Sequence, residues 1–486
     1  MSALAERVQV LEKPRSLDAY GRLEALFDPG SLQLIRSTVL TRTAGRSTHG
    51  DGVVGGSGTV AGRPVFAYAQ DQSFAGGSLG EVHAATILRV MELAERACAP
   101  VIGFIASGGA RMEDGVAALA GYGRIFRGNV RMSGRVPQIS VICGVSAGGG
   151  SYSPALTDFV IMTEESAMFL TGPAVVRDVM GEDVDAAGLG GPRVHSSNGV
   201  SQFVAADDRA AVELVRDLLS YLPSRAGETP PIAPPGEVLA IDPSSGVPAS
   251  ARQVYDIRGV IAGLVDGGEM LEVSERWARN MVTALARIDG QPVGVIANQP
   301  WFLGGVIDAT AAQKAARFVR TCNAFGLPLV VLVDTPGFLP GSRQEQAWVI
   351  RHGAKLLHAF AEAVVPKVTV VLRKAYGGAH ICMNSKDLGA DLALAWPGAE
   401  IGIMGPKQAV GVVHRRALAD ADDPEAERDR LAAEYAEDHL SAAVAAEQGF
   451  IDELIEPRDT RRRIAGAIAS LSPAGMFGNG PGNLPL

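Results

Sequence analysis

What most constrains this chain is that it is written twice. Gly62-Arg63-Pro64-Val65 recurs as Gly290-Gln291-Pro292-Val293, and Phe74-Ala75-Gly76-Gly77 as Phe302-Leu303-Gly304-Gly305, both at an offset of 228 residues. Pro100 and Pro328 keep that offset. Val136-Pro137 with Val365-Pro366, and Gly148-Gly149 with Gly377-Gly378, follow at 229, and Gly172-Pro173 with Gly405-Pro406 at 233. Matches in order, with a slowly growing offset, mean two copies of one unit much longer than a solenoid repeat. The three domains that 486 residues suggest, at a prior of about 150 residues each, therefore become two. Seven prolines between Pro223 and Pro248 interrupt every helical or strand period and mark the linker. The copies are accordingly assigned to residues 1–235 and 236–486, the second ending in a helical tail, Arg415 to Ser472, whose charges read as a solvated face.

Each copy alternates strand and helix. Val65–Ala69 and Val293–Ala297 read as strands, and Leu79–Ala97 and Ala309–Phe325 carry helical spacing of apolar residues. Val101–Ile105 and Leu329–Val333, then Ile139–Cys143 and Val368–Leu372, are short apolar β-rich runs of the kind that form buried parallel strands. The fold class is α/β.

With 44 Lys+Arg against 53 Asp+Glu and a net charge of -9, the chain has neither the balance nor the basic blocks of a nucleic-acid binder. Cys98, Cys143, Cys322 and Cys382 are scattered without a C-x-x-C pair, which suits a reducing compartment and offers no zinc site. Residues 1–15 carry charges where a signal peptide needs an apolar run, and the longest apolar runs, such as Leu327–Val333, fall far short of a membrane span. A cytoplasmic location without membrane attachment is expected.

Glycine is the compositional outlier, 58 of 486 residues, and part of the excess sits where strands end. One run leads into Ser107-Gly108-Gly109-Ala110-Arg111, another into Ser146-Ala147-Gly148-Gly149-Gly150, and in the second copy a third into Tyr376-Gly377-Gly378-Ala379. Ligands of open α/β sheets bind beyond the carboxyl ends of strands, where glycine lets backbone N–H groups approach an anion. Such a loop is either an oxyanion hole or a tightly packed turn, and its recurrence at equivalent positions favours the first. Gly144-Val145-Ser146-Ala147-Gly148 also fits the G-x-S-x-G nucleophile elbow, which keeps a Ser146 thioester hydrolase open, although the second copy has Ala375 there. No H-E-x-x-H and no P-loop pattern occurs, so neither metal catalysis nor ATP hydrolysis has a motif. His380 either lines a pocket or is structural.

At this point a family resemblance emerges. Gly76-Gly77-Ser78-Leu79-Gly80-Glu81-Val82-His83, Ser107-Gly108-Gly109-Ala110-Arg111, Pro137-Gln138-Ile139-Ser140, Ala147-Gly148-Gly149 with Tyr152–Asp158, and Thr171-Gly172-Pro173 resemble the carboxyltransferase β subunit of biotin-dependent acyl-CoA carboxylases. So do Lys314–Arg320, Pro336–Pro340, Arg373-Lys374 with Gly377-Gly378-Ala379, Ala395-Trp396-Pro397 and the ending Gly482–Leu486. The resemblance covers nearly the whole chain.

It implies two tandem crotonase-like (ClpP/crotonase) β-β-α superhelix domains and a homo-hexamer in which the N-terminal domain of one subunit faces the C-terminal domain of another. It also implies transfer of CO2 from carboxybiotin, on a separate biotin carboxylase/carrier α subunit, to the α-carbon of an acyl-CoA. Biotin N1 would take the α-proton. By position, the N–H groups of Gly148 and Gly149 would hold the biotin oxyanion and those of Gly378 and Ala379 the thioester enolate, with Ser107, Gly108, Gly109, Ala110 and Arg111 at the coenzyme A. The chain shows no biotin-accepting Met-Lys-Met segment, so the carrier is expected as a partner. No four-cysteine module occurs, which points to the actinobacterial-type branch.

Ile381 stands where propionyl-type members tend to carry Asp and acetyl-preferring ones Ile, so acetyl-CoA, giving malonyl-CoA, is the expected substrate. His380 replaces a usual Tyr beside it. Arg343 and Trp348 replace an acidic and a small residue nearby, and either reshape a pocket or are surface drift. A malonyl-type decarboxylase or transcarboxylase subunit and a non-catalytic scaffold paralogue remain as alternatives.

Overall fold

The computed structural model describes residues 16–43, 46–250 and 253–471. The charged stretch 1–15 and the Gly482–Leu486 run lie outside the described residues. Two compact units are present. Residues up to Asn129 with Gln138–His195 and Val204–Asp217 make one, and Val130–Pro137, Ser196–Phe203 and residues from Leu218 onward make the other.

The strands are β1 (Gln33–Ile35), β2 (Leu40–Thr43), β3 (Arg46–His49), β4 (Val53–Val60), β5 (Arg63–Gln70), β6 (Val101–Ser107), β7 (Gln138–Ala147), β8 (Phe159–Thr163), β9 (Ala167–Phe169) and β10 (Phe203–Ala205). The second copy continues with β11 (Met270–Glu272), β12 (Met281–Ile288), β13 (Gln291–Asn298), β14 (Leu329–Thr335), β15 (Lys367–Tyr376), β16 (Leu392–Ala395), β17 (Glu400–Gly402) and β18 (Glu453–Leu454). One sheet has the order β1-β4-β5-β6-β7-β8-β10 with β9 on β7; the other has β11-β12-β13-β14-β15-β16-β18 with β17 on β15. The two orders correspond strand for strand. In each, an antiparallel hairpin leads into parallel strands. These are two pseudo-symmetric crotonase-like domains, as the repeat predicts.

The apolar runs form the parallel strands because both their faces are covered. Every residue of β6 and of β14 is buried, the pattern expected where helices pack on either side. Glu81–Ala97 and Ala309–Ala324 are the covering helices, close to their sequence-predicted ranges. Part of the glycine excess is packing. A Cβ on Gly55, Gly56 or Gly58 of β4 would come within 2.8 Å or less of Val90, Leu32 or Phe27.

The C-terminal tail differs from its expected reading. β18 and the helix Thr460–Leu471 are the counterparts of β10 and the helix Asp208–Tyr221, so the tail completes the second copy. Its offset from the first copy has grown to 250 residues, from Phe203 to Glu453 and from Tyr221 to Leu471, beyond what spacing matches could follow. Each copy pins this last helix to its hairpin in the same way. Asp28 accepts from the N–H groups of Ala61 and Gly62 and from Arg216, whose other nitrogen donates to the Leu26 carbonyl. Asp266 accepts from Asp289, Gly290 and Gly236 N–H and from Arg461, which also donates to the Leu264 carbonyl. The Gly62 N–H, with Arg216 and Thr59, holds the Asp28 carboxyl far below the usual range. Burial works to raise that of Asp266, but Arg461 and the three N–H groups keep it low. Among the described residues, no helix is long and apolar enough to cross a membrane.

Candidate active site

The two glycine loops occupy the same place in the two copies. In the first, β7 ends at Ala147, Gly148 turns the chain with φ +57°, and a short helix begins, Gly149–Ala155. In the second, β15 ends at Tyr376, Gly377 turns with φ +58°, and the helix Gly377–Cys382 follows. Only glycine takes that left-handed conformation cheaply. Gly148 therefore corresponds to Gly377, Gly149 to Gly378 and Gly150 to Ala379.

That register bears on the donors. The Gly148 N–H already donates to the Phe169 carbonyl at 3.1 Å, a bond that ties the turn to β9. By contrast, the N–H groups of Gly149 and Gly150, and of Gly378 and Ala379, have no protein acceptor among the described residues. They are the opening amides of helices, which lack intrahelical partners and suit an anionic oxygen. Gly378 is exposed and Gly149 half-buried. The open amides of the first loop are thus those of Gly149 and Gly150, one residue beyond the Gly148 and Gly149 pair expected from the sequence, because in a run of three glycines nothing marks which one turns the chain.

The loops rest on different floors. A Cβ at Gly149 would come within 2.6–2.7 Å of three ring atoms of Tyr122, whereas one at Gly378 meets Phe338 at an ordinary 3.8 Å. Tyr122 is held by its hydroxyl to Ser107 at 3.2 Å and stacks on Phe126, which meets Tyr152 edge-on. Burial pushes the Tyr122 phenol up, so it stays protonated. Tyr152, 53% exposed, flanks the first loop where Ile381, 48% exposed, flanks the second. Ile381 lies one turn beyond Gly378 on the same helix face. Burial pushes the neighbouring His380 imidazole down, against the pull of Asp387, and leaves it neutral near pH 7. Trp348 and Arg343 are exposed, and Trp348 takes a left-handed φ of 63° at the start of the helix Val349–Glu362.

The Ser107–Arg111 segment is built differently from its expected role. Gly108 N–H donates to Gly76, Gly109 to the Ser107 hydroxyl and Arg111 to Leu79, so most of its amides are engaged. The Arg111 guanidinium is buried at 2% exposure, paired with Asp51 at 2.6 Å and donating to the Ser78 carbonyl at 2.8 Å. It has no free face for a coenzyme A phosphate; it clamps the 76–79 loop to the strand end. His83 shares this buried node through Asp51 and Gln70, and burial pushes its imidazole down to about 3. Ser146 sits at the end of β7 with no exposure and no histidine bonded to it, so the nucleophile elbow lacks its base. Among the described residues, no group of three metal-ligating side chains could hold an ion.

The family described as carboxyl transferase domain matches residues 16–476. The propionyl-CoA carboxylase β chain of Saccharopolyspora erythraea is 47% identical over 95% of this chain and 89% of its own. The methylmalonyl-CoA decarboxylase α subunit of Veillonella parvula is 45% identical over 96% and 92%. The crystal structure of the transcarboxylase 12S hexamer, with methylmalonyl-coenzyme A and methylmalonic acid bound, superposes with a TM-score of 0.91 at 46% identity, covering 96% of this chain and 92% of that one.

Proposed function

The chain belongs to the carboxyl transferase domain family, and on that premise we propose that it is the carboxyltransferase subunit of a biotin-dependent enzyme acting on a short-chain acyl-CoA of the propionyl/methylmalonyl type. The observation that carries the reading is the pair of unpartnered amides at the same strand end of both copies. Two sets of donors suit a reaction with two carbonyl oxygens that gain charge, one of a thioester and one of a ureido ring.

Carboxybiotin, when brought by a carrier, would supply the CO2 and a nitrogen able to accept the substrate's α-proton. This chain contributes the fixed dipoles. The amides of Gly378 and Ala379 hold the thioester oxygen as it becomes an enolate, and those of Gly149 and Gly150 hold the ureido oxygen. Ile381 and Tyr152 border the two loops and shape what enters. The acetyl preference read from Ile381 finds no support in relatives named for propionyl and methylmalonyl substrates, and the propionyl/methylmalonyl pair replaces it. Arg111, held by Asp51 and the Ser78 carbonyl, is left out of the coenzyme A site.

Both copies expose the same apolar face, Leu170, Val179 and Met180 in one and Ile403, Val412 and Val413 in the other. Such faces mark interaction surfaces and support a homo-hexamer like the transcarboxylase 12S core, working with a biotin carboxylase/carrier subunit. The test is to incubate the purified chain with methylmalonyl-CoA and free biotin. Biotin-dependent formation of propionyl-CoA is expected; no conversion of either methylmalonyl- or malonyl-CoA would overturn the proposal. A decarboxylase subunit is the second reading, favoured by the Veillonella relative. It predicts CO2 release with its own carrier and no ATP-driven carboxylation with a biotin carboxylase.

A further inference from the structure

The two loops are tied to their neighbouring strands by different means. In the first copy β9 runs beside β7, with Val145 opposite Ala167 and Ala147 opposite Phe169. There the Phe169 carbonyl accepts from the Gly148 N–H at 3.1 Å and from the Ser151 hydroxyl at 2.8 Å, so the backbone and one small side chain hold the turn down. In the second copy β17 runs beside β15 in the same register, with Lys374 opposite Glu400 and Tyr376 opposite Gly402. The counterpart of Ser151 is His380, which has no hydroxyl to repeat that bond. A side-chain pair takes its place. The Tyr376 phenol donates to the Glu400 carboxylate, and the first copy has alanine at both positions, Ala147 and Ala167.

The bond lies where it can fix the turn. Tyr376 is the last residue of β15 and precedes Gly377, which turns the chain with φ +58°. Its side chain is 7% exposed. A Cβ on Gly405 would stand 3.3 Å from the Tyr376 ring, and one on Gly377 would stand 3.0 Å from the Ile403 carbonyl, so ring and turn are both packed on the 402–405 segment. Burial, and then Glu400 beside it, push the phenol up, and it remains a protonated donor. Glu400 is also the cross-strand neighbour of Lys374, whose ammonium lies 3.9 Å from Asp334, itself bonded to Arg373 at 3.0 Å. Charge alternates along Glu400, Lys374, Asp334 and Arg373, whereas the counterparts Ala167, Val145, Ala106 and Gly144 carry none. Apolar residues in place of buried charges are often neutral or stabilising, and the first copy builds the same strand ends from them. The fold therefore does not require the charged network. What such a network adds is rigidity in the elements it joins.

We propose that Tyr376 and Glu400 are positioning residues of the second loop. Their bond holds the Gly377 turn against β17 and so sets the aim of the Gly378 and Ala379 amides, without either side chain touching a ligand. The inference rests on the carboxyltransferase reading given above, in which those amides serve the acyl-CoA. It confines the effect to the acyl half of the reaction, because the first loop has its own tie through Phe169.

The test uses the full chain as wild type, Tyr376→Phe, Glu400→Ala, Glu400→Gln, and Tyr376→Phe combined with Glu400→Ala. Turnover of methylmalonyl-CoA with free biotin gives kcat and a KM for each substrate, and thermal melting is read alongside. Tyr376→Phe keeps the ring and loses only the donor, so kcat should fall about 10-fold, the size of one hydrogen bond to a charged group, while the KM for free biotin stays within about 2-fold. Glu400→Ala should match it, and the double variant should be no slower than either single one, because all three remove the same bond. Glu400→Gln keeps an oxygen acceptor and should restore most of kcat. Should Glu400→Ala melt early, Tyr376→Phe and Glu400→Gln decide. A rise in the KM for free biotin as large as the fall in kcat, or losses that multiply in the double variant, would show a general structural role and overturn the inference. So would unchanged kcat in Tyr376→Phe, or a Glu400→Gln enzyme as slow as Tyr376→Phe. A wild type inert toward both methylmalonyl- and malonyl-CoA would instead overturn the functional reading, and this inference with it.

Discussion

The repeat makes a paired prediction possible, in which one substitution is made at equivalent sites and opposite results are expected. Gly149 opens its loop helix and Gly378 is the second residue of the other, and neither has a left-handed φ, so alanine is allowed by both backbones. Their surroundings differ. At Gly149 the new methyl would lie 2.6–2.7 Å from the Tyr122 ring, and ordinary contact begins near 3.4 Å, so something must move by about 0.8 Å. Tyr122 cannot retreat, being 5% exposed, bonded to Ser107 and packed on Phe126. The loop must give way, and with it the amides of Gly149 and Gly150. Misplacing a catalytic group by about 1 Å costs on the order of 100-fold, and losing an oxyanion donor costs about 100- to 1000-fold. Gly149→Ala should therefore lower kcat about 100-fold, roughly 2.7 kcal/mol of barrier. At Gly378 the methyl meets Phe338 at 3.8 Å, nothing shifts, and kcat should stay within about 3-fold. Steady-state turnover of methylmalonyl-CoA with free biotin, with circular dichroism to confirm folding, measures both. Equal damage in the two variants, or a Gly149→Ala enzyme of near wild-type kcat, would refute the reasoning.

Other expectations follow from the surrounding structure. Asp266→Asn removes a carboxylate that serves Arg461 and three amides, and should cost about 3 kcal/mol. Because the folded carboxyl titrates below its unfolded value near 3.9, that contribution is present above about pH 4 and fades as pH falls through the folded value. Thermal melting of both forms from pH 3 to 7 should show the gap close at the acid end. Arg111→Met leaves Asp51 buried without its partner and should destabilise the first unit by about 3–5 kcal/mol. Urea unfolding reads that loss, and the KM for acyl-CoA of the folded fraction should not change. Ile381→Asp puts a carboxylate beside the Gly378 amides and should change relative kcat/KM across acetyl-, propionyl- and butyryl-CoA by about 10-fold or more in a competition assay.

The duplication was legible in the sequence because turns and strand ends tolerate few residue types, so Gly62/Gly290 and Gly148/Gly377 stayed recognisable. Buried strands were legible for the same reason, since β6 and β14 admit little beyond apolar residues. The Asp28–Arg216 and Asp266–Arg461 pins were not. Their members are surface-type residues at offsets of 238 and 245, outside the register of the other matches. Arg111 was placed at the coenzyme A because it ends the Ser107–Arg111 run on which the family resemblance rests. Only the position of Asp51, sixty residues earlier in the chain, shows otherwise. Which glycine turns the chain, and hence which amides are open, depends on a φ angle that the letters G-G-G do not encode.

The strand ahead of the first loop has one further consequence. β7 is paired on both sides, with β6 and β8, so its amides should exchange with deuterated water only on large-scale opening. A few residues on, the amides of Gly149 and Gly150 have no acceptor and should exchange quickly, as should those of Gly378 and Ala379 beyond β15. Four rapidly labelled amides at the ends of protected strands give each loop its own intrinsic label. Titrating one ligand at a time and watching which pair slows would report the occupancy of each loop separately, without a chromophore or a turnover assay.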